Sequence, residues 1–139
     1  MISAGATRAV RIVHAALVAG LSMVGATFLV LLRALRMNFG FGAGLGRLFA
    51  VMSLVVLAVA LFFLRSRIPQ RRSDQSPDEY WSAHESRDAA VILWAIVQGA
   101  GMVGWVGYLL TGSVAPGLIA VVSILSLILI RPSRIEGHG

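Results

Sequence analysis

The chain has 139 residues, 58% of them apolar, a mean hydropathy of +0.84 and a net charge of +6. That apolar fraction exceeds the roughly 45–50% of soluble domains, and the length fits a single domain, residues 1–139. Cysteine is absent, which excludes disulfide exchange, thiolate metal sites and cysteine nucleophiles.

All 12 basic residues are arginine, the mark of a coding bias rather than of a function. In a soluble protein such a charge would point to nucleic acid. Here the arginines flank apolar segments, so orientation in a bilayer and anionic lipid headgroups explain them, and no nucleic acid is expected.

In chain order, the first span is predicted at about residues 10–32. Arg8 and Arg11 precede it, but the apolar run is much longer than the roughly 7–15 residues of a signal-peptide core, so it reads as a retained span. Arg33, Arg36 and Arg47 bracket a connection rich in glycine (Gly40, Gly42, Gly44, Gly46). No strand precedes these glycines and no Gly-Lys-Ser/Thr follows, so they form an interfacial loop and not a phosphate cradle. The second span covers about 48–64 and stops at Ile68-Pro69, where proline removes a donor and crowds the preceding turn.

Residues 65–88 form the one polar connection of any length. Ser76-Pro77-Asp78-Glu79 is a helix start, with a capping serine, proline at the first helical position and acids at the positive end of the dipole. Ser82 and Glu85 offer a second capping box. The third helix is therefore expected to begin in this connection, with Tyr80 and Trp81 near the headgroups. Its span covers about 89–111, and a tight turn at Gly112-Ser113 leads to a fourth span at about 115–130. Arg131-Pro132 closes that span, and the tail beyond is expected to be disordered.

Roughly 20 apolar residues cross the hydrocarbon core as a helix, because lipid offers the backbone no other hydrogen-bond partners. The predicted fold is all-α, a bundle of four transmembrane helices. Shifting the chain by 79 residues superposes Arg8 on Arg87, Ala16 on Ala95, Gly20 on Gly99 and Met23-Val24-Gly25 on Met102-Val103-Gly104. The two helical hairpins thus read as a parallel repeat. With four spans, Arg8, Arg11, Arg65, Arg67, Arg71, Arg72, Arg87, Arg131 and Arg134 share one side, against Arg33, Arg36 and Arg47 on the other. The positive-inside rule then puts both termini in the cytoplasm of a bacterial inner membrane.

The residues that could carry chemistry are few. No acid or base falls in the middle of a span, which removes the membrane carboxylate a proton-coupled exporter needs. His14 lies about a turn inside the first span, His84 at the foot of the third helix and His138 in the tail. A site of His14, His84 and Asp88 is conceivable, since His84 and Asp88 share a helix face. Hydrogen-bonded interfacial histidines are the simpler reading, and no catalytic residue, cofactor or metal is expected. Gln98 is the single amide deep in a span and suits an interhelical hydrogen bond.

Gly20, Gly25, Gly99, Gly104 and Gly107 are the expected packing positions, because small residues let helices approach closely in lipid. The first and third helices are predicted to cross at the centre near Gly99, with the second and fourth outside. Ala95-Ile-Val-Gln98-Gly99, Leu109-Leu-Thr-Gly112 and Arg131-Pro132 together resemble a loose set of uncharacterised bacterial four-helix membrane proteins. The likeness spans mainly residues 87–134 and has Gln98 where that set carries glutamate. It implies the topology and no activity.

The functional expectation is an accessory or scaffolding subunit that packs against other membrane proteins or against its own copies. Arg65, Arg67, Arg71 and Arg72 would meet anionic headgroups. The competing expectation is a small channel or carrier with a path past Gln98, Ser22 and Thr27. A membrane enzyme built on His14, His84 and the acids of residues 74–88 would lack a nucleophile-base pair.

Overall fold

The computed structural model describes residues 5–136, apart from the side chain of Ala43. His138, the first four residues and the last three of the tail lie outside the described residues. The regular structure of the described residues is all helical, with no strand. Helix α1 (Ala6–Leu29) and helix α2 (Ala43–Val59) each continue into a wider π-helical turn, Val30–Ala34 and Ala60–Leu64. A short helix α3 (Pro77–Ser82) precedes the long α4 (His84–Thr111), followed by α5 (Val114–Leu129) and α6 (Pro132–Ile135).

Three stretches, Ala6–Ala34, Gly44–Arg67 and His84–Thr111, are long and apolar enough to cross a membrane, which marks the chain as a membrane protein. Helix α5 is apolar but has only 16 residues. At about 1.5 Å per residue it covers about 24 Å against a hydrocarbon core of about 30 Å, a mismatch that a span meets by local thinning of the bilayer.

Local chemistry explains the boundaries. Ile68 turns extended before Pro69 and ends the α2 segment (ψ 123°), as a residue preceding proline prefers. Ser76 caps α3 through a 3.2 Å bond from the Glu79 amide. Gly112 adopts the left-handed conformation (φ 65°) that closes α4 and lets α5 start two residues later.

Three local expectations fail. Helix α2 already begins at Ala43, so of the four glycines expected in the loop Gly44 and Gly46 are helical. The chain turns extended at Ala83 (ψ 130°), so α3 and α4 are separate helices. Ser82, now the last residue of α3, cannot cap α4, and its hydroxyl is buried without a partner. The tail is also ordered as far as Glu136: proline at the first position of α6 starts a helical turn, and Glu136 is buried.

Helix α4 is the hub. It packs along α5 and α2, and less extensively against α1, while α1 and α2 barely touch. The expected arrangement, with α1 and α4 crossing at the centre and the other two outside, is therefore incorrect. The reason lies in which small residues meet a neighbour. Gly101, Gly104 and Gly107, spaced by three, are buried against α2, α5 and Leu21. The face bearing Ala95 and Gly99 points away, with Ala95 exposed and open space beside Gly99. Leu21, Leu93, Trp94, Val97, Ala100 and Leu127 fill the interior and are all fully buried.

Candidate functional site

The described ends of the chain meet the 65–83 connection at one end of the bundle, and the polar chemistry of the molecule concentrates there. Tyr80 and Trp81 are on the buried face of α3 and point into the bundle, not out to the headgroups. Their rings continue onto Trp94 and His14: centroids are 4.7 Å apart for Tyr80–Trp81, 6.0 Å for Trp81–Trp94 and 4.9 Å for His14–Trp94.

Two of these rings finish the end of α5. The last carbonyls of a helix have no intrahelical donor. His14 Nε2 donates to the Leu127 carbonyl (2.6 Å) and Trp94 Nε1 to that of Ile130 (2.8 Å). The bond places the imidazole proton on Nε2.

Beside the rings sits a buried carboxylate. Glu136 has no exposed side-chain surface, whereas Arg11 is 56% exposed. Trp81 Nε1 donates to Glu136 Oε1 (2.5 Å), Arg11 Nη2 to Oε2 (3.3 Å), and Arg71 Nε to the Glu136 carbonyl (2.7 Å). A charge taken out of water costs several kcal/mol unless it is paired and hydrogen-bonded. Glu136 meets both conditions, and in doing so ties the tail, the first helix and the long connection together. Arg71 also holds the Gln75 carbonyl (2.7 Å).

A second tie lies nearby. The Thr7 hydroxyl and amide both donate to Asp78 Oδ1, at 2.6 and 3.1 Å. These bonds hold the Asp78 carboxyl below its ordinary value, the hydroxyl bond contributing most. Burial pushes the Tyr80 phenol up, and its hydroxyl donates to the Pro69 carbonyl (2.5 Å). Apart from the Ser82 hydroxyl, these donors and acceptors satisfy one another, which suits a latch.

The sequence-predicted residues divide. His14 is buried in the latch, while His84 is exposed and lies 3.7 Å from Asp88, so the three do not assemble. Among the described residues no three His, Asp or Glu side chains converge. Gln98 Nε2 makes a long bond (3.5 Å) to the Leu17 carbonyl, joining α4 to α1, and Gly20 lies beside that amide. Gly25 abuts the Trp105 indole, Gly104 the backbone of α5, and Gly107 the Phe49 side chain. Gly99 was expected at the tightest contact and meets nothing.

Of the residues offered for a transport path, Thr27 is exposed and bonds back to its own helix at the Met23 carbonyl (2.9 Å). Ser22 is half-buried.

Sequence reasoning missed Glu136, Trp94, Gly101 and Ser53, and misplaced Trp81. Ser53 is fully buried and donates to the Ala100 carbonyl (2.5 Å), joining α2 to α4. One signal was available: Glu136 is the only acid after Asp88, in a segment otherwise basic. Compared with known proteins, the chain matches no family model, no curated protein and no solved structure.

Proposed function

We propose that this is a four-span protein of a bacterial inner membrane, with both termini in the cytoplasm, that acts as an accessory or scaffolding subunit by packing against other membrane proteins. The arginine asymmetry supports the orientation, because the latch end carries nine of the twelve. The interior favours contact over transport. Its core positions are filled with apolar side chains, and Gln98, Ser53 and Ser123 all bond to backbone carbonyls. The principal clefts open at the ends or on the flank.

The observation that carries the reading is the unused small-residue face. Ala95 and Gly99 lie one turn apart on α4 with open space beside Gly99, and Ala15, Ala16 and Ala19 are exposed on α1. Small residues in lipid serve close helix approach, and a Cβ at Gly99 would meet no other part of the described chain.

A photoreactive amino acid at Ile92 or Ile96, both exposed beside that face, tests the reading in native membranes. Adducts to another membrane protein are expected. Adducts to lipid alone would overturn it.

A further inference from the structure

At the latch end, residues 65–70 lead away from α2 and pass beside the end of α5 and the start of α6. Between them opens a cleft of about 550 Å³, within the roughly 300–1,000 Å³ of small-ligand sites. Its floor is apolar: Leu93 is fully buried, Ile130 is 3% exposed, and Ile68 and Ile135 are half-buried.

Its rim is cationic. Arg65 comes from the end of α2 and Arg134 from α6, and no carboxylate lines the cleft. Neither guanidinium has a hydrogen-bond or ion-pair partner among the described residues. Neighbouring arginines are differently engaged: Arg11 on the Glu136 carboxylate, Arg71 on two carbonyls, and Arg72 at 3.7 Å from Asp74. Of the four arginines that composition marks for headgroups, Arg65 belongs to this cleft, and Arg134 joins it from the tail.

We infer that the cleft binds the phosphate headgroup of an anionic membrane phospholipid. Guanidinium groups suit phosphate oxygens by geometry and weak hydration, and a basic pocket between membrane helices is where such a headgroup docks. The half-buried Ile68 and Ile135 suit the glycerol and upper acyl carbons, and a free anion would leave those two side chains uncovered. The inference rests on the membrane reading above but not on the accessory role, so it can fail while that role stands.

The test uses the full chain purified in a non-ionic detergent. Short-chain phosphatidylglycerol, short-chain phosphatidylcholine and inorganic phosphate are titrated separately, and binding is read as the rise in melting temperature and as lipid adducts in native mass spectra. Phosphatidylglycerol should bind at least tenfold more tightly than phosphatidylcholine.

Arg65→Gln with Arg134→Gln should weaken phosphatidylglycerol binding about 25-fold, roughly fivefold for each guanidinium. Arg8→Gln with Arg87→Gln removes equal charge from the same end outside the cleft and should change it less than about twofold. Should the double variant fold poorly without lipid, Arg134→Gln alone carries the test at about fivefold.

Inorganic phosphate that binds as tightly as the lipid and displaces it would support the phosphate site and assign it to a soluble anion. Equal losses in both double variants, or no loss in Arg65→Gln/Arg134→Gln, would overturn the inference.

Discussion

Leucine at Gly99 and leucine at Gly104 should have opposite consequences, although the two glycines lie five residues apart on one helix. A Cβ at Gly104 would sit 2.6 Å from the Pro116 carbonyl oxygen and 3.0 Å from the Ala120 amide, both backbone atoms of α5. Ordinary contact begins at 3.4 Å, so α5 would have to retreat by about 0.8 Å for the first carbon alone, losing dispersion contact along its length. Overpacking of a tight contact costs about 1–3 kcal/mol, and a full leucine side chain should reach or exceed the top of that range.

At Gly99 a Cβ meets nothing within 4 Å. There the exchange should be neutral, or should gain up to about 1 kcal/mol from the better helix propensity of leucine. Thermal unfolding in mild detergent, followed by circular dichroism, separates the two. At roughly 2–4 °C per kcal/mol, Gly104→Leu should lower the midpoint by about 6–12 °C, and Gly99→Leu should leave it within about 2 °C or raise it. If Gly104→Leu does not fold, Gly104→Ala should still lower the midpoint relative to Gly99→Ala. A fall at Gly99 as large as that at Gly104 would refute the α4-centred packing and restore the crossing at Gly99.

Three further outcomes follow from the latch. Glu136→Ala should cost about 1–3 kcal/mol, the range for leaving buried donors unmet, and should red-shift the tryptophan emission as Trp81 loses its acceptor; Glu136→Gln, which keeps an acceptor oxygen, should shift it less. His14→Phe preserves the ring against Trp94 but leaves the Leu127 carbonyl unpaired, so a melting midpoint lowered by the equivalent of about 1–3 kcal/mol is expected; an unchanged midpoint would deny the bond a role.

The Thr7–Asp78 tie should depend on pH. The folded carboxyl lies below its ordinary value, so its stabilisation is complete above about pH 4 and is lost as pH falls through the lower folded value. Protection of residues 76–82 against hydrogen exchange, taken relative to the intrinsic rate at each pH, should fall on acidification in the wild type, and Asp78→Asn should flatten that response. A response unchanged in the variant would contradict it.

What sequence could and could not reveal divides along physical lines. Apolar length, proline, glycine and the Ser76 cap act locally, so helix positions and turns were readable from neighbours in the chain. Which face of α4 is buried was not. Ala95, Gly99, Gly101, Gly104 and Gly107 put small residues around much of that helix, and only the three-dimensional fit decides which of them meet a partner. In lipid an apolar face need not be a buried face, which removes the periodicity signal that orients a soluble helix. Glu136 was illegible for a different reason. Its partners Arg11, Arg71 and Trp81 lie 55 or more positions away, and a polar tail gives no local hint that it folds back.

The measurement that bears most directly on the accessory role is recovery of the tagged chain from its native membrane in mild detergent, sized by native mass. Stoichiometric recovery within a larger assembly containing another membrane protein is expected, with Gly99→Leu releasing the chain from that assembly while leaving it folded. Recovery of the wild type only as a lone monomer would contradict it.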